Sequence, residues 1–352
     1  MQRVEKVIDE ASELSCTTVV SFEPENIFYL TGFWGEGIVV ARDGYARLIV
    51  PMLEADRARS TARCEVVESE RGKGMLEKAL SSIEDNEHVC TDCNDYSIIE
   101  RMKARLTVKY SRDVFYNARM IKDGEEISTI RKAASILDEL FKLCEQMIRI
   151  GVTEREVQAM LLYEAMRIGA YPPSYRYTLT PLIIASGINS SLPHAEATDK
   201  GIRHGELVTV DLTLRYRGYI ADATRTYAVG RVDDEMSRVY NVVKEAEERA
   251  IDSIASNHGC REIDFIARSY IDSRGYGSMF IHSTGHGIGL EVHEPPWISQ
   301  RSEHILKDGM TVTIEPGIYL AGRFGVRIED SVLIWNGDAE ILNRYPKDLI
   351  VL

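Results

Sequence analysis

Long uninterrupted runs of apolar residues are missing from the sequence. A membrane-spanning helix needs about 18 such residues or more, and no segment of the 352 residues approaches that length. The first residues, MQRVEKVIDEASEL, also lack the apolar centre of a secretion signal. These absences predict a cytoplasmic protein with no membrane partner.

An excess of basic residues is missing as well. The chain carries 42 lysines and arginines against 55 aspartates and glutamates, so its formal net charge is -13. Because binding to a phosphate backbone requires a basic surface, the composition predicts no nucleic-acid partner.

Cysteine is scarce. The six cysteines are scattered, and Cys90 and Cys93 form the one CxxC pair. A structural zinc site built from four thiolates needs a second pair, so we expect these cysteines to be reduced thiols with a structural role.

The chain does contain material for a sizeable core, since 44% of its residues are hydrophobic. Up to about residue 115, short apolar runs alternate with amphipathic ones, which is typical of an α/β layer. The runs TTVVSF, GIVVA, RLIVP, VCTDC and TVKYS are predicted strands. The remainder is predicted to be α+β, with helices over 128–150, 153–169, 235–255 and 261–273 grouped around strand hairpins.

Two predicted hairpins each carry a pair of acids. Asp211 and Asp222 flank a turn near Arg217, and folding the strands together sets the two carboxylates opposite each other or one diagonal step apart. Glu315 and Glu329 pair in the same way if the second turn is Ala-Gly-Arg at 321–323. The sequence therefore predicts two pairs of facing acids.

Three histidines lie between these hairpins, in FIHSTGHGIGLEVHEPP. His282 and His286 are four residues apart, but the interleaved glycines disfavour a helix through them. A glycine-rich loop or strand edge is the better interpretation, unlike the helical histidine pair of many zinc proteases.

A single acid on a hairpin is usually solvated, but these four lie within β-branched, apolar runs that predict buried strands. Buried carboxylates repel one another and lose hydration, which costs several kcal/mol per ion unless cations compensate. Four carboxylates balance two divalent ions, with one histidine as a nitrogen ligand. Oxygen-rich ligation of this kind suits Mn, Co or Zn.

A linker and five motifs then carry a resemblance to a known family: RMIKDGEEISTIRKA, IIASGINSSLPHA, VTVDLTLRYRGYIADATRT, HSTGHGIGLEVHE, TIEPGIY and GVRIEDS. From about residue 116 onwards the chain resembles the pita-bread metallopeptidases, which include methionine aminopeptidase, aminopeptidase P, prolidase and the metal-free creatinase. The preceding part resembles the smaller creatinase-like domain of the prolidase and aminopeptidase P branch. The resemblance implies an α/β N-terminal domain (1–115), a linker (116–125), an α+β pita-bread catalytic domain (126–352) and pairing into a homodimer.

The resemblance also implies a role for each motif residue. Five residues would be the metal ligands: Asp211, Asp222, His286, Glu315 and Glu329. Asp222 and Glu329 would bridge both ions, Asp211 would complete one site, and His286 with Glu315 the other. A hydroxide shared by the ions would be the nucleophile, with Glu315 as proton shuttle.

Further residues would serve catalysis or substrate binding by the same resemblance. His293 would stabilise the oxyanion, His194 would bind the substrate, His282 would line the pocket, and Arg327 would fix the carboxylates. The implied activity is hydrolysis of the Xaa-Pro bond in short peptides with proline at the second position.

Two departures leave the substrate length open. Many prolidase-like relatives carry an aromatic residue where this chain has Thr180, and several carry arginine where it has Trp297. An Xaa-Pro dipeptidase and an Xaa-Pro aminopeptidase are therefore both expected possibilities. The alternatives are a methionine aminopeptidase, which usually lacks such an N-terminal domain, and a non-catalytic peptide-binding relative, which usually lacks metal ligands.

Overall fold

The computed structural model describes residues 2–174, 178 and 182–352, and the chain divides into two compact units, 1–119 and 120–352. None of the helices in these described ranges is both long and apolar enough to cross a membrane.

The first unit is built on a six-stranded mixed sheet in the order β4-β3-β2-β1-β5-β6. Its strands are β1 (Thr18–Ser21), β2 (Ile38–Arg42), β3 (Tyr45–Pro51), β4 (Glu65–Ser69), β5 (His88–Thr91) and β6 (Thr107–Tyr110). Its helices are α1 (Gln2–Glu13), α2 (Pro24–Thr31), α3 (Ala55–Thr61), α4 (Lys73–Leu80), α5 (Tyr96–Lys103) and α6 (Asp113–Met120). All five predicted strands are confirmed, whereas β4 was not predicted because its glutamates interrupt the apolar run.

Four long helices lie in the described part of the second unit, and their predicted positions are confirmed to within a few residues. They are α7 (Gly124–Met147), α8 (Glu154–Arg167), α9 (Asp234–Asp252) and α10 (Cys260–Ser273). The predicted capping box of α8 is present: the Thr153 hydroxyl accepts from the Glu156 N–H, and the Glu156 carboxylate accepts from the Thr153 N–H. This reciprocal pair satisfies two N–H groups at the start of the helix.

The described part of this unit also contains a series of strands. They are β7 (Ala170–Tyr171), β8 (Leu182–Ser186), β9 (Leu207–Tyr216), β10 (Tyr219–Ala228), β11 (Gly285–Gly287), β12 (Glu294–Ile298), β13 (Thr311–Ile314), β14 (Gly317–Leu320), β15 (Phe324–Arg327), β16 (Asp330–Trp335) and β17 (Asp338–Ile341). Strands β10, β9 and β7 form one sheet, in which β8 also pairs with β9, and β12-β11-β13-β16-β17 form another. His286 lies in the short strand β11, which pairs with β12 and β13, whereas His282 and His293 lie in the irregular segments on either side.

The two predicted hairpins are both present. In the β9–β10 hairpin, Asp211 lies opposite Thr224 and Asp222 lies opposite Thr213, so the two acids are one diagonal step apart. In the second hairpin, β14 and β15 pair around a turn at 321–323.

The second hairpin continues beyond β14 and β15, after an interruption. Strand β13 pairs with β16 in the same register, from Thr311 opposite Leu333 to Ile314 opposite Asp330. The predicted pairing of Glu315 with Glu329 is not formed, because both residues fall within the interruption and their backbones leave the ladder. Their N–H and carbonyl groups are thereby available to other strands.

Candidate metal centre

Asp222 projects from β10 into a buried environment. Its carboxylate accepts a hydrogen bond from the Thr213 hydroxyl (2.8 Å). Burial, followed by the negative charge of Asp211, raises the pKa of Asp222 well above its usual range. In the absence of a cation this carboxyl therefore holds a proton more strongly than an exposed aspartate.

Glu329 joins the second hairpin to β10. Its backbone N–H donates to the Thr224 carbonyl (3.1 Å), and the Thr224 N–H donates to the Glu329 carbonyl (3.3 Å). The Thr224 hydroxyl also donates to the Glu329 carboxylate (2.7 Å). Burial, followed by the charge of Asp222, raises the pKa of Glu329 well above its usual range. The ladder interruption thus brings Glu329 beside the first pair of acids.

Glu315 joins the same hairpin to the histidine strand. Its N–H donates to the Thr284 carbonyl (2.7 Å), and one carboxylate oxygen lies 3.2 Å from His286 Nε2. Burial opposes both charges, but the pairing outweighs it: the pKa of Glu315 falls to about 2 and that of His286 rises. Gly285 permits this approach, because a Cβ there would meet a backbone carbonyl oxygen at 1.9 Å.

These elements bring ligand atoms close together. Asp222, His286 and Glu329 each offer one such atom, and the three atoms lie within 4.8 Å of one another. Asp211 Oδ1 is buried and has no hydrogen-bond partner within the described residues. A buried, unpartnered carboxylate oxygen is costly. The donor set therefore fits a divalent cation, which would supply the missing partner.

Arg327 holds the edge of this site. Its guanidinium donates to Asp211 (2.5 Å), to the Thr224 hydroxyl (3.1 Å), to the Tyr319 hydroxyl (2.7 Å) and to the Pro193 carbonyl (3.1 Å). The buried Arg327 side chain thus fixes an acid of the first hairpin, a tyrosine of the second and the backbone beside His194.

The other predicted histidines line the same pocket, together with Arg327 and the five predicted ligands. His282 Nε2 lies 3.0 Å from the Tyr319 hydroxyl, and its pKa is lowered, first by burial. The His293 ring packs edge-on against His286, with centroids 4.2 Å apart. Burial, followed by the charge of His286, lowers the pKa of His293 to about 3. His293 is therefore a neutral imidazole near neutral pH.

Trp297 also lines the pocket and is 39% exposed, at its rim. Ile183, Pro193 and Val292 contribute further apolar surface. Thr180 lies outside the described residues.

Sequence reasoning missed three residues of the site: Thr213, Thr224 and Tyr319. The two threonines lie two residues after Asp211 and Asp222, so strand periodicity places them on the same faces as the acids and provided a signal. The residues next to Tyr319 in the sequence give no signal of its role, because its partners Arg327 and His282 come from other elements.

Two family models match the chain. Metallopeptidase family M24 matches residues 128–336, and the Creatinase/Prolidase N-terminal domain matches residues 3–121. The predicted fold class, a pita-bread catalytic domain preceded by a smaller α/β creatinase-like domain, is confirmed.

Similarity to individual proteins extends over nearly the full length. The chain is 38% identical to an Xaa-Pro dipeptidase from Pyrococcus furiosus over 355 residues, which covers 99% of both proteins. Its structure resembles the prolidase from Pyrococcus horikoshii OT3 (TM-score 0.91, 36% identity, 99% of this chain and 100% of the other). It also resembles an X-Pro aminopeptidase from Thermotoga maritima MSB8 (TM-score 0.88, 32% identity, 99% of both). The chain therefore belongs to metallopeptidase family M24 and carries a creatinase/prolidase-type N-terminal domain.

Proposed function

We propose that this protein hydrolyses the bond between a first residue and a proline in short peptides, as an Xaa-Pro dipeptidase or Xaa-Pro aminopeptidase. One observation carries the proposal: Asp222, His286 and Glu329 converge within 4.8 Å in a buried pocket, in a chain that is similar over its full length to an Xaa-Pro dipeptidase. The proposed catalytic domain, residues 126–352, contains the whole constellation.

The proposed cofactor is a pair of divalent ions, Mn, Co or Zn. The residues that would hold these ions are Asp211, Asp222, His286, Glu315 and Glu329. Support comes from the unpartnered Asp211 Oδ1 and from charge balance, since four carboxylates match two divalent cations. When bound, such ions acidify a water molecule and polarise the scissile carbonyl.

The chain's own residues supply proton transfer and orientation. Glu315, whose pKa is about 2, is ionised at neutral pH and would accept the proton of the attacking water before passing it to the leaving nitrogen. His293 is neutral and would donate its N–H to the developing oxyanion.

Two further residues act on the substrate and on the acids. His194 would hydrogen-bond the substrate backbone. Arg327 is fully engaged with Asp211, Tyr319 and neighbouring groups, so it would orient the acids and leave substrate binding to others.

Proline specificity requires a pocket that recognises a ring, since the Xaa-Pro bond is a tertiary amide without an N–H. The apolar side chains of Ile183, Pro193, Val292 and Trp297 in the lining supply surface for such a ring. Trp297 offers no positive charge to the terminal carboxylate of a dipeptide, which favours activity on longer Xaa-Pro peptides as well.

The test is hydrolysis of a panel of Xaa-Pro dipeptides and Xaa-Pro-Yaa peptides by metal-loaded protein. We expect metal-stimulated release of the first residue, which Asp222→Asn abolishes. Asp338→Asn is the matched control, because Asp338 is exposed on β17 and its change should have no effect. Absence of metal-stimulated release from every peptide would contradict the proposal.

Assembly and location form part of the same proposal. We propose a cytoplasmic homodimer. Sedimentation as a monomer at micromolar concentration, or recovery outside the cytoplasmic fraction, would contradict it.

A further inference from the structure

A buried glutamate outside the pocket occupies the first turn of α8. Glu154 is 0% exposed, whereas its neighbour Glu156 caps the helix at the surface. Acids in the first turn of a helix usually lie near solvent, where they favour the helix dipole. Glu154 instead turns inward, so its carboxylate requires polar partners in the interior.

Those partners come from both ends of one loop. One carboxylate oxygen accepts from the Ser186 N–H (2.7 Å) and hydroxyl (2.7 Å). The other accepts from the Thr198 N–H (3.0 Å) and hydroxyl (2.6 Å). The Asn189 amide donates to both oxygens (3.1 and 2.9 Å). Glu154 therefore holds the segment 186–198 at its beginning, through Ser186 and Asn189, and at its end, through Thr198.

All of these donors are neutral. Lys200, the cation of this network, bonds the Ser186 hydroxyl (2.7 Å) and Glu206 (2.7 Å), and no ion pair of Glu154 exists within the described ranges. A buried carboxylate held only by hydrogen bonds depends on the geometry of its donors. The charge of Glu154 thus favours one conformation of the segment.

The segment 186–198, which Glu154 holds by hydrogen bonds, contributes His194 to the pocket lining. The preceding carbonyl, that of Pro193, accepts from Arg327 (3.1 Å), and Ala195 packs against Ile183 and Ala185. In the part of the chain that is described, no hydrogen bond holds the His194 ring itself. The position of that ring therefore follows from the backbone of its segment.

We propose that Glu154 is a positioning residue that places His194 for the reaction through the segment 186–198. The proposal rests on the proposed peptidase function for its kinetic test and has a spectroscopic test that needs no turnover. Glu154 bonds Ser186, Asn189 and Thr198, none of which lines the pocket. Its effect would therefore reach the pocket through the segment 186–198, which contributes Pro193 and His194 to the lining.

The kinetic test uses Glu154→Gln, which keeps the shape of the side chain but replaces one acceptor oxygen with an NH2 group that faces donors. In metal-loaded protein we expect kcat/KM to fall by about 100-fold, the order of loss that a misplaced group causes, with unchanged metal content. The matched control is Glu156→Gln on the same helical turn, which should retain wild-type activity.

A double-mutant cycle with His194→Ala separates positioning from general damage. Glu154→Gln should lower kcat/KM further by less than about twofold once His194 is absent. An equal loss in both backgrounds, or full activity in folded Glu154→Gln, would overturn the proposal. If Glu154→Gln does not fold, Thr198→Val takes its place, because it removes one donor to Glu154 and keeps the backbone N–H.

The spectroscopic test is the 15N-histidine spectrum of zinc-loaded protein, in which His194→Ala identifies the His194 signals. Glu154→Gln should shift or broaden those signals and leave the signals of His286 in place. Unchanged His194 signals would overturn the proposal. If wild-type protein cleaves no Xaa-Pro peptide but the His194 signals change, the proposed function fails and the positioning role stands.

Discussion

Metal binding should release protons, because two of the buried acids bind a proton more tightly in the metal-free protein than exposed acids do. The pKa values of Asp222 and Glu329 are raised well above their usual ranges, first by burial and then by neighbouring carboxylates. A metal ion binds the ionised carboxylate, so each of these protons must leave. We expect metal binding to release protons from both acids, with a larger release at lower pH. His286, whose pKa is also raised, should add to the release at lower pH.

The assay is calorimetric titration of metal-stripped protein with Mn2+ at pH 7, in buffers with different ionisation enthalpies. The slope of the observed enthalpy against the buffer enthalpy gives the number of protons. Asp222→Asn should release fewer protons than wild type, whereas the exposed control Asp338→Asn should leave the release unchanged. Equal release by wild type and Asp222→Asn would refute the reasoning.

The same protonation has a consequence for stability. Because the folded-state pKa of Asp222 exceeds its unfolded value, its protonated form stabilises the fold. This contribution is fully present below the unfolded pKa of about 4 and is lost as pH rises through the folded pKa. Within that window the free energy of unfolding should fall by about 1.4 kcal/mol per pH unit for this group. Asp222→Asn lacks the group, so its stability relative to wild type in EDTA should increase with pH by that amount. A difference that does not change with pH would refute the reasoning.

Three further outcomes follow from single contacts. Arg225→Met should lower the free energy of unfolding in urea by about 3 to 5 kcal/mol, because five hydrogen bonds of a buried guanidinium are lost. The surface control Arg323→Met should cost far less because its ion pair is solvated, and equal losses would contradict the difference in burial. Trp297→Arg should raise the ratio of dipeptide to tripeptide turnover about tenfold by pairing with the terminal carboxylate; an unchanged ratio would remove Trp297 from that subsite. Gly285→Ala should weaken metal binding in calorimetry at least about tenfold, because its Cβ would displace the strand that carries His286, and wild-type affinity would contradict this.

The sequence by itself determined the local elements and the register of each hairpin. Chain direction reverses at 217–218 and 321–323, so the residue opposite Asp211 follows from counting residues away from the first turn. The start of α8 could also be predicted from neighbouring residues, because Thr153 and Glu156 cap the helix within one turn. Such features depend on groups a few residues apart, and the residue pattern records them directly.

Only the tertiary structure decided how the hairpins and the histidine strand meet. The interruption of the second hairpin allows the backbone of Glu329 to bond Thr224 and that of Glu315 to bond Thr284. Neither contact produces a periodic pattern of residues in the sequence from which it could be predicted. The roles of Tyr319 and Glu154 arose in the same way, from partners in other elements. Backbone N–H and carbonyl groups have the same chemistry at every position, so which strand they bond across a long chain separation depends on packing in three dimensions.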